Sequence, residues 1–247
     1  MFQPVVVIPV YNHPSTIGAM VEAVLRHGLP CILVDDGSEP GCAAVLDALA
    51  RAHGAVALVR LDRNQGKGAA MTAGLREAAR RGHSHALQID ADGQHDAGDI
   101  PVFLARARAN PAAVISGNPV YDASVPKGRL YARYATHIWV WINTLSADIR
   151  DSMCGFRVYP LGPVTALLDR RDVGRRMDFD SDIIVRLHWA GVPVLNQPTR
   201  VTYPQDGISH FRLWRDNVLI SRMHATLFFG MLWRSPRLLW RKLGRTP

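Results

Sequence analysis

The chain predicts an α/β fold: a mainly parallel central sheet with helices on both faces. Three observations point to it. Between Gln3 and Gly117, five short apolar runs rich in β-branched residues are separated by four alanine- and leucine-rich stretches of helical length. Those stretches are long enough for right-handed crossovers between parallel strands. The first four runs each end in a polar cluster: "YNHPS", "DDGSEP", "RNQGKG" and "DADGQHD". Ligands of open α/β sheets bind beyond the carboxyl ends of the strands, so these clusters mark a site by position alone.

In order, "PVVVIPV" reads as a strand and Ser15 to His27 as a helix with Ser15 as N-cap. "PCILVDD" is the second strand and Cys42 to His53 the second helix. "AVALVRL" is the third strand, followed by a helix from Lys67 to Arg81. "HALQID" is the fourth, followed by Asp99 to Ala109, and "AAVISG" is the fifth. The second half is less regular. Leu130 to Ser146 is helical, "DSMCGFRVYP" is a turn and short strand, and Asp180 to Ala190 is a helix closed by Gly191. Two short strands, "VPVLNQ" and "TRVTYP", follow. Phe211 to about Lys242 is helical, with an interruption expected at Ser235-Pro236. No internal repeat or linker divides the chain.

Composition narrows the class. A hydrophobic share of 48% and a charged share of 20% suit a globular protein with a sizeable core. The three cysteines, Cys31, Cys42 and Cys154, form no CxxC pair, which speaks against a zinc knuckle or a disulfide framework. The N-terminal run lacks the basic start and small-residue cleavage site of a signal peptide. The net charge of +8 is concentrated at one end, since Gly207 to Pro247 holds seven Arg and one Lys against one Asp. "GKGAAM" lacks the last glycine of a dinucleotide fingerprint and follows the third strand, not the first. No Walker A spacing exists.

The chemistry gathers in "ALQIDADGQHD". An apolar strand runs into Asp90, Asp92, Gln94, His95 and Asp96. Crowded carboxylates repel one another unless a cation sits among them. Asp90 and Asp92, one residue apart, face the same way if the strand continues, so both can approach one cation. Oxygen ligands of this type suit Mg or Mn, which take substrate phosphates and water as further ligands. A solvated acidic turn is the alternative for these residues alone.

"VVVIPVYN", "LVDDGS", "NQGKGAA" and "QIDADGQH" occur in the order and spacing of family-2 glycosyltransferases, which the chain resembles from about Val5 to Tyr203. "DADGQH", "CGFR" and "FDSDI" look most like the polyprenyl-phosphate (dolichol-phosphate) sugar transferase branch. The resemblance implies a GT-A nucleotide-sugar fold and an inverting, metal-dependent sugar transfer from a UDP- or GDP-sugar. It implies that Pro9, Tyr11, Asn12, Asp36, Lys67, Asp90 and Asp92 meet the donor. Asp90, Asp92 and Gln94 would hold the divalent cation and diphosphate. Asp180 and Asp182 fall on the catalytic acids of this family's helix, with Phe179 where relatives carry Glu. Asp180 is equally readable as a helix cap. The family's "GSR" is Gly117-Asn118 here, so Lys127, Arg129, Arg133 and Arg157 are the candidates to meet acceptor or diphosphate. For Arg157 a structural ion pair is the alternative.

Residues 1–206 are expected to form the GT-A domain and 207–247 a basic amphipathic helical tail. In the tail, Met223 to Trp233 is the longest uncharged run, well short of the roughly twenty residues a membrane span needs. Its mixture of Trp, Phe, Leu and Arg suits a helix lying on an anionic membrane surface, or one packed on the core. The expected acceptor is lipid-linked or lipophilic, and the expected location cytoplasmic, peripheral on the inner membrane face. Two other classes compete: a nucleotidyltransferase, disfavoured by the missing triphosphate loop, and a nucleic-acid-binding protein using the basic tail. Nucleic acid is not expected as a partner, because phosphate backbones avoid uncompensated carboxylates.

Overall fold

The computed structural model describes residues 1–121, 127–202 and 212–243, with the side chains of 121–132 outside the described set. Seven strands form one sheet in the order β3-β2-β1-β4-β6-β5-β7. They are β1 (Pro4–Val10), β2 (Cys31–Asp35), β3 (Val56–Arg60), β4 (His85–Gln88), β5 (Val114–Tyr121), β6 (Arg157–Pro160) and β7 (Val194–Val201). All neighbours pair parallel except β6, which runs antiparallel to both β4 and β5. The helices are α1 (Ile17–Arg26), α2 (Pro40–Ala52), α3 (Lys67–Arg80), α4 (Ile100–Ala109), α5 (Lys127–Thr144), α6 (Leu161–Leu168), α7 (Phe179–Ala190) and α8 (Leu213–Leu243).

Both faces of the sheet are covered, as the near-continuous apolar strands require. Alternation along β1 sends Val5 and Val7 into one core, with α3, α5, α6, α7 and α8. It sends Val6, Ile8 and Val10 into the other, with α1, α2 and α4. The carboxyl ends of β1, β2, β3 and β4 consequently open onto one edge.

Several elements differ from the sequence expectation. Thr16, not Ser15, precedes α1, and its hydroxyl donates to Ala91 O at 2.6 Å instead of capping the helix. That bond ties the first helix to the acidic turn after β4. The two short strands expected near the end are one strand, β7. Pro198, between the two expected stretches, is accommodated because β7 is the sheet's last strand, where a missing N–H costs little. The interruption expected at Ser235-Pro236 is absent, and α8 runs through it. Pro236 deprives Leu232 O of its helical donor, and the Ser235 hydroxyl supplies one at 2.9 Å. Helix α6 had no expectation attached to it. Ser209, His210 and Arg212 are also expected from "DGISHFR" to form a loop closing over the donor, but Ser209, His210 and the rest of 203–211 lie outside the described residues.

Helix α8 packs one face on α5 and α7, burying Met223, Leu227, Met231 and Leu238. Its contact with α5 includes a buried polar pair, Asn143 Nδ2 and His224 Nδ1 at 3.3 Å, beneath the Trp139 ring. His224 Nε2 is buried without a hydrogen-bond partner among the described residues. Burial pushes the His224 pKa down to about 4. Between about pH 6.5 and pH 4 the unfolded chain therefore binds a proton there that the folded chain refuses, so stability falls as pH drops through that window. Denaturant unfolding of His224→Gln should lose less stability than wild type between pH 7 and 4.5; an identical pH slope would refute this role.

Candidate active site

The edge is assembled loop by loop. Asn12, two residues past β1, lies in the left-handed region, at φ 54°. Its N–H donates to Ser38 Oγ at 3.1 Å, and its Oδ1 accepts from Glu39 N at 2.8 Å, joining the first and second loops. Pro9 and Tyr11 lie half-buried beside it. In "DDGS" the two carboxylates divide the work. Asp35 accepts from Ser38 N and from Arg60 Nε, both at 2.8 Å, so it shapes the turn. Asp36, 2% exposed, accepts from Gln65 N at 2.7 Å and Gly66 N at 2.8 Å. Burial raises its pKa, opposed by these two N–H groups and the Arg176 charge. Asp36 therefore fastens the loop that carries Lys67. Gly37, at φ 68°, is required where the loops meet: a Cβ there would lie 2.4 Å from the Arg63 carbonyl carbon.

Lys67 is the centre of the site. Its ammonium donates to Asp90 Oδ2 and to Asp180 Oδ2, both at 2.8 Å. The three side chains are 16%, 21% and 7% exposed, so solvent screens the pairing poorly. Burial acts to lower the Lys67 pKa, but Asp180 and Asp90 raise it above the ordinary value. Burial acts to raise Asp90, but the Lys67 and His95 charges bring it below the ordinary carboxylate range. Asp92 moves the other way, raised by burial and then by the charge of Asp90.

A buried polar chain supports this centre from below. Asp180 Oδ1 accepts from Gln88 Nε2 at 3.0 Å, and Gln88 Oε1 accepts from the Tyr159 hydroxyl at 3.1 Å. Burial pushes the Tyr159 phenol up to about 12, so it remains a donor. Arg157, 0% exposed, donates to Asp180 O at 2.6 Å and Ser152 O at 2.7 Å. Gly155 closes the arrangement, because a Cβ there would lie 2.2 Å from Asp90 Oδ2. The "CGFR" segment thus supplies a floor for the Asp90 carboxylate.

Several candidates are placed differently from expectation. Arg157 is interior, and its two terminal nitrogens donate to backbone carbonyls instead of facing the edge; the structural ion pair given as its alternative is not found among the described residues either. Asp180 does not cap α7: Asp178 precedes the helix and Asp180 lies in its first turn. Asp182, 2% exposed, accepts from Gly174 N at 2.8 Å and Arg186 Nε at 2.6 Å, and so fastens the 171–178 loop instead of facing the site. Arg133 does stand near the edge, held by Asp151 through Nε at 2.5 Å and Nη2 at 2.7 Å. Asp151 also accepts from Met153 N and Cys154 N and lies 3.3 Å from His137 Nε2. Burial opposes its ionisation, but His137 and Arg133 hold its pKa well below the usual range. Lys127 and Arg129 begin α5, and their side chains lie outside the described residues.

Among the described residues, no three His, Cys, Asp or Glu side chains are grouped as a complete metal cage. The acidic turn nevertheless fits a cation that takes its remaining ligands elsewhere. Asp90 Oδ1 is buried with no hydrogen-bond partner, although its other oxygen meets Lys67. Asp92 stands beside it with its charge disfavoured by Asp90, a conflict that a divalent ion relieves. Gln94 N–H donates to Asp92 Oδ1 at 3.0 Å, and Gln94 O accepts from Thr202 N at 3.1 Å, which fixes the turn against the end of β7. Gln88, Tyr159, Asp151 and Gly155 escaped the sequence reading. The detectable signal was a polar Gln inside an otherwise apolar strand.

Residues 5–171, more than half of the chain, match the family model for glycosyl transferase family 2. The chain belongs to that family. It is 28% identical over 221 residues to the polyprenol monophosphomannose synthase of Mycolicibacterium smegmatis, covering 83% of this chain and 79% of that one. The resemblance to polyprenyl-phosphate sugar transferases therefore extends well beyond the motifs. Two solved structures share the fold. Glucosyl-3-phosphoglycerate synthase from Mycobacterium tuberculosis, in complex with Mn2+, UDP-glucose and phosphoglyceric acid, superposes with a TM-score of 0.71. It is 14% identical, covering 93% of this chain and 80% of that one. The mannosyltransferase PcManGT from Pyrobaculum calidifontis, in complex with GDP-Man and Mn2+, gives a TM-score of 0.57 at 16% identity, covering 99% and 76%. The architecture is of the GT-A type.

Removing the shared cation should expose its importance. Lys67→Met leaves Asp90 and Asp180 facing each other without a counter-charge, and loss of one partner from a buried ion pair costs about 3–5 kcal/mol. Denaturant unfolding at pH 7 should show a loss of that order. The deficit should shrink as pH falls through the carboxylate range, because protonation removes the repulsion. A loss below about 1 kcal/mol, or one that does not vary with pH, would contradict the assignment.

Proposed function

We propose that this protein transfers a hexosyl group from a UDP- or GDP-sugar to the phosphate of a lipid-linked or lipophilic acceptor at an anionic membrane surface. The observation that carries this reading is the acidic turn, where a buried Asp90 oxygen without a partner stands beside Asp92 and below Lys67. Asp92 and Asp90 Oδ1 would hold Mg or Mn together with the donor diphosphate, with Gln94 adjoining. Bound there, the cation supplies charge stabilisation for the departing nucleoside diphosphate. The protein's own residues prepare that event. Lys67 keeps Asp90 ionised and aims one of its oxygens away from the ammonium. Pro9, Tyr11 and Asn12 form the nucleotide side of the pocket, and Asp36 holds the loop that closes it.

The acceptor follows from the state of Asp180. Both of its oxygens already accept hydrogen bonds, from Lys67 and from Gln88, so it acts as a positioning residue for Lys67. An alcohol acceptor needs a base to take its proton, whereas a phosphate is an anion and needs none. Arg133, held by Asp151, is then the cation proposed to draw that phosphate in, with Lys127 and Arg129 at the start of the same helix. Inverting transfer by direct attack fits this arrangement. Relatives named for polyprenol phosphate, and neighbours with UDP-glucose and GDP-Man, support the choice of partners. Neither a nucleotidyltransferase nor a nucleic-acid-binding role gains support from them.

No helix among the described residues is long and apolar enough to cross a membrane. The outward faces of α5 and α8 are unusual, however. Trp214, Phe229, Trp233 and Trp240 are 69–86% exposed on α8, and Tyr134, Ile138, Trp139 and Trp141 are exposed on α5. Arginines are interleaved with them. A helix with this distribution sits in an anionic interface, aromatics below the headgroups and arginines among them. We read residues 1–206 as the catalytic unit and 207–247 as a membrane-surface element whose inner face joins the same core. In this reading the protein is a peripheral enzyme, with the cytoplasmic face of a membrane as its expected side.

Two measurements test this. Asp92→Ala should cut transfer from labelled UDP- or GDP-sugar into a polyprenyl-phosphate acceptor with Mn2+ by at least about 100-fold (about 2.7 kcal/mol) without lowering the unfolding midpoint; retained transfer would refute the site. Trp233→Ser with Trp240→Ser should reduce co-sedimentation with phosphatidylglycerol vesicles several-fold while leaving the fold intact, and undiminished binding would remove the membrane role of α8.

A further inference from the structure

A second basic site lies on the outer side of the third loop. A cleft of about 750 Å3 opens between residues 63–65, the 172–178 loop, α7 and α8. That volume is typical of sites for small ligands. Six arginines line it: Arg63, Arg175, Arg176, Arg186, Arg215 and Arg222. Only three acids line it with them, Asp172, Asp178 and Asp182. The acids are partly committed already: Asp182 is buried against Arg186 and Gly174 N, and Asp178 Oδ1 accepts from Arg176 N at 3.0 Å. Arg175 and Arg176 donate to the neutral amides Gln65 Oε1 and Asn64 Oδ1, which orient the two guanidinium groups without cancelling their charge. Arg63, Arg215 and Arg222 are exposed and have no acidic partner among the described residues. Arg215 and Arg222, seven residues apart on α8, share one helix face two turns apart.

The platform is stiff. Ala69 N–H donates to Arg175 O at 2.9 Å, Gly174 N–H is held by Asp182, and Arg176 N–H by Asp178. The 174–176 segment is thus tied to α3 and α7 while α8 closes the opposite wall. Like charges held close on a rigid frame repel one another, and a multivalent anion is the ligand that turns this repulsion into binding. Planar guanidinium forks match phosphate oxygens in pairs, which carboxylate-poor lysine patches do not reproduce. None of Pro9, Tyr11, Asn12, Asp36, Lys67, Asp90 or Asp92 lines the cleft.

We propose that this cleft is a binding site for a phosphate-bearing anion, a diphosphate or a clustered phosphate monoester, separate from the donor pocket. The phosphate can belong to a soluble molecule or to a lipid headgroup, since α8 carries exposed Trp214 and Val218 beside Arg215 and Arg222.

The test uses the full chain and inorganic pyrophosphate in the presence of EDTA, which keeps cation-dependent binding at the acidic turn out of the measurement. Titration calorimetry should find about one pyrophosphate per chain. Arg215→Gln with Arg222→Gln should weaken it at least ten-fold, whereas Arg51→Gln with Arg237→Gln, which removes the same charge elsewhere, should change it less than two-fold. Equal weakening in both double variants, or no binding at all, would overturn the site. Repeating the titration with phosphatidate vesicles, whose headgroups are clustered phosphate monoesters, or with phosphatidylcholine vesicles identifies the source. Competition by the anionic vesicles alone assigns the cleft to a lipid headgroup, and no competition assigns it to a soluble phosphate.

Discussion

A single ammonium group organises this protein's candidate active site. Lys67 Nζ lies 2.8 Å from a carboxylate oxygen of Asp90 and 2.8 Å from one of Asp180. Those two acids come from opposite ends of the chain's logic, one from the turn after β4 and one from the first turn of α7. Buried carboxylates that face each other repel, and the lysine between them supplies the counter-charge. Most of the surrounding architecture serves to keep that contact in place. Asp36 fastens the loop that presents Lys67, Gly155 gives Asp90 room, and the Gln88–Tyr159 pair holds the far oxygen of Asp180.

The same contact decides the chemistry. Because Lys67 occupies only one oxygen of Asp90, the other is left buried and unbonded next to Asp92. This asymmetry suits a cation completed by ligands from a nucleotide sugar. Lys67 and Gln88 occupy both oxygens of Asp180, and the proposal of an acceptor that brings its own negative charge rests on that geometry. The exposed aromatic faces of α5 and α8 are what the proposed membrane-surface role rests on, since no helix among the described residues is long and apolar enough to span a bilayer.

Much of this was legible in the amino-acid order. The strand-to-polar-cluster rhythm of the first 117 residues gave the sheet and its functional edge, since β-branched runs and turn chemistry are local properties. Lys67, Asp90 and Asp92 were identifiable from motifs. What stayed hidden depends on distant contacts. Nothing near Arg157 distinguishes a surface cation from one whose guanidinium is consumed by the carbonyls of Ser152 and Asp180. Asp182 resembled a catalytic acid until its pairing with Gly174 N and Arg186 became visible. The continuity of α8 through Pro236 was hidden too, because the Ser235 hydroxyl supplies the donor that the proline removes.

The central claim, that Lys67 holds Asp90 so that its remaining oxygen and Asp92 share a divalent ion, is most directly tested by diffraction. Crystals grown with Mn2+ and either UDP or GDP, measured at the manganese absorption edge, should give one anomalous peak within bonding distance of Asp92 and Asp90 Oδ1. Lys67 should still bridge Asp90 Oδ2 and Asp180. A peak bound elsewhere, or a lysine displaced from Asp90 by the ion, would contradict the account.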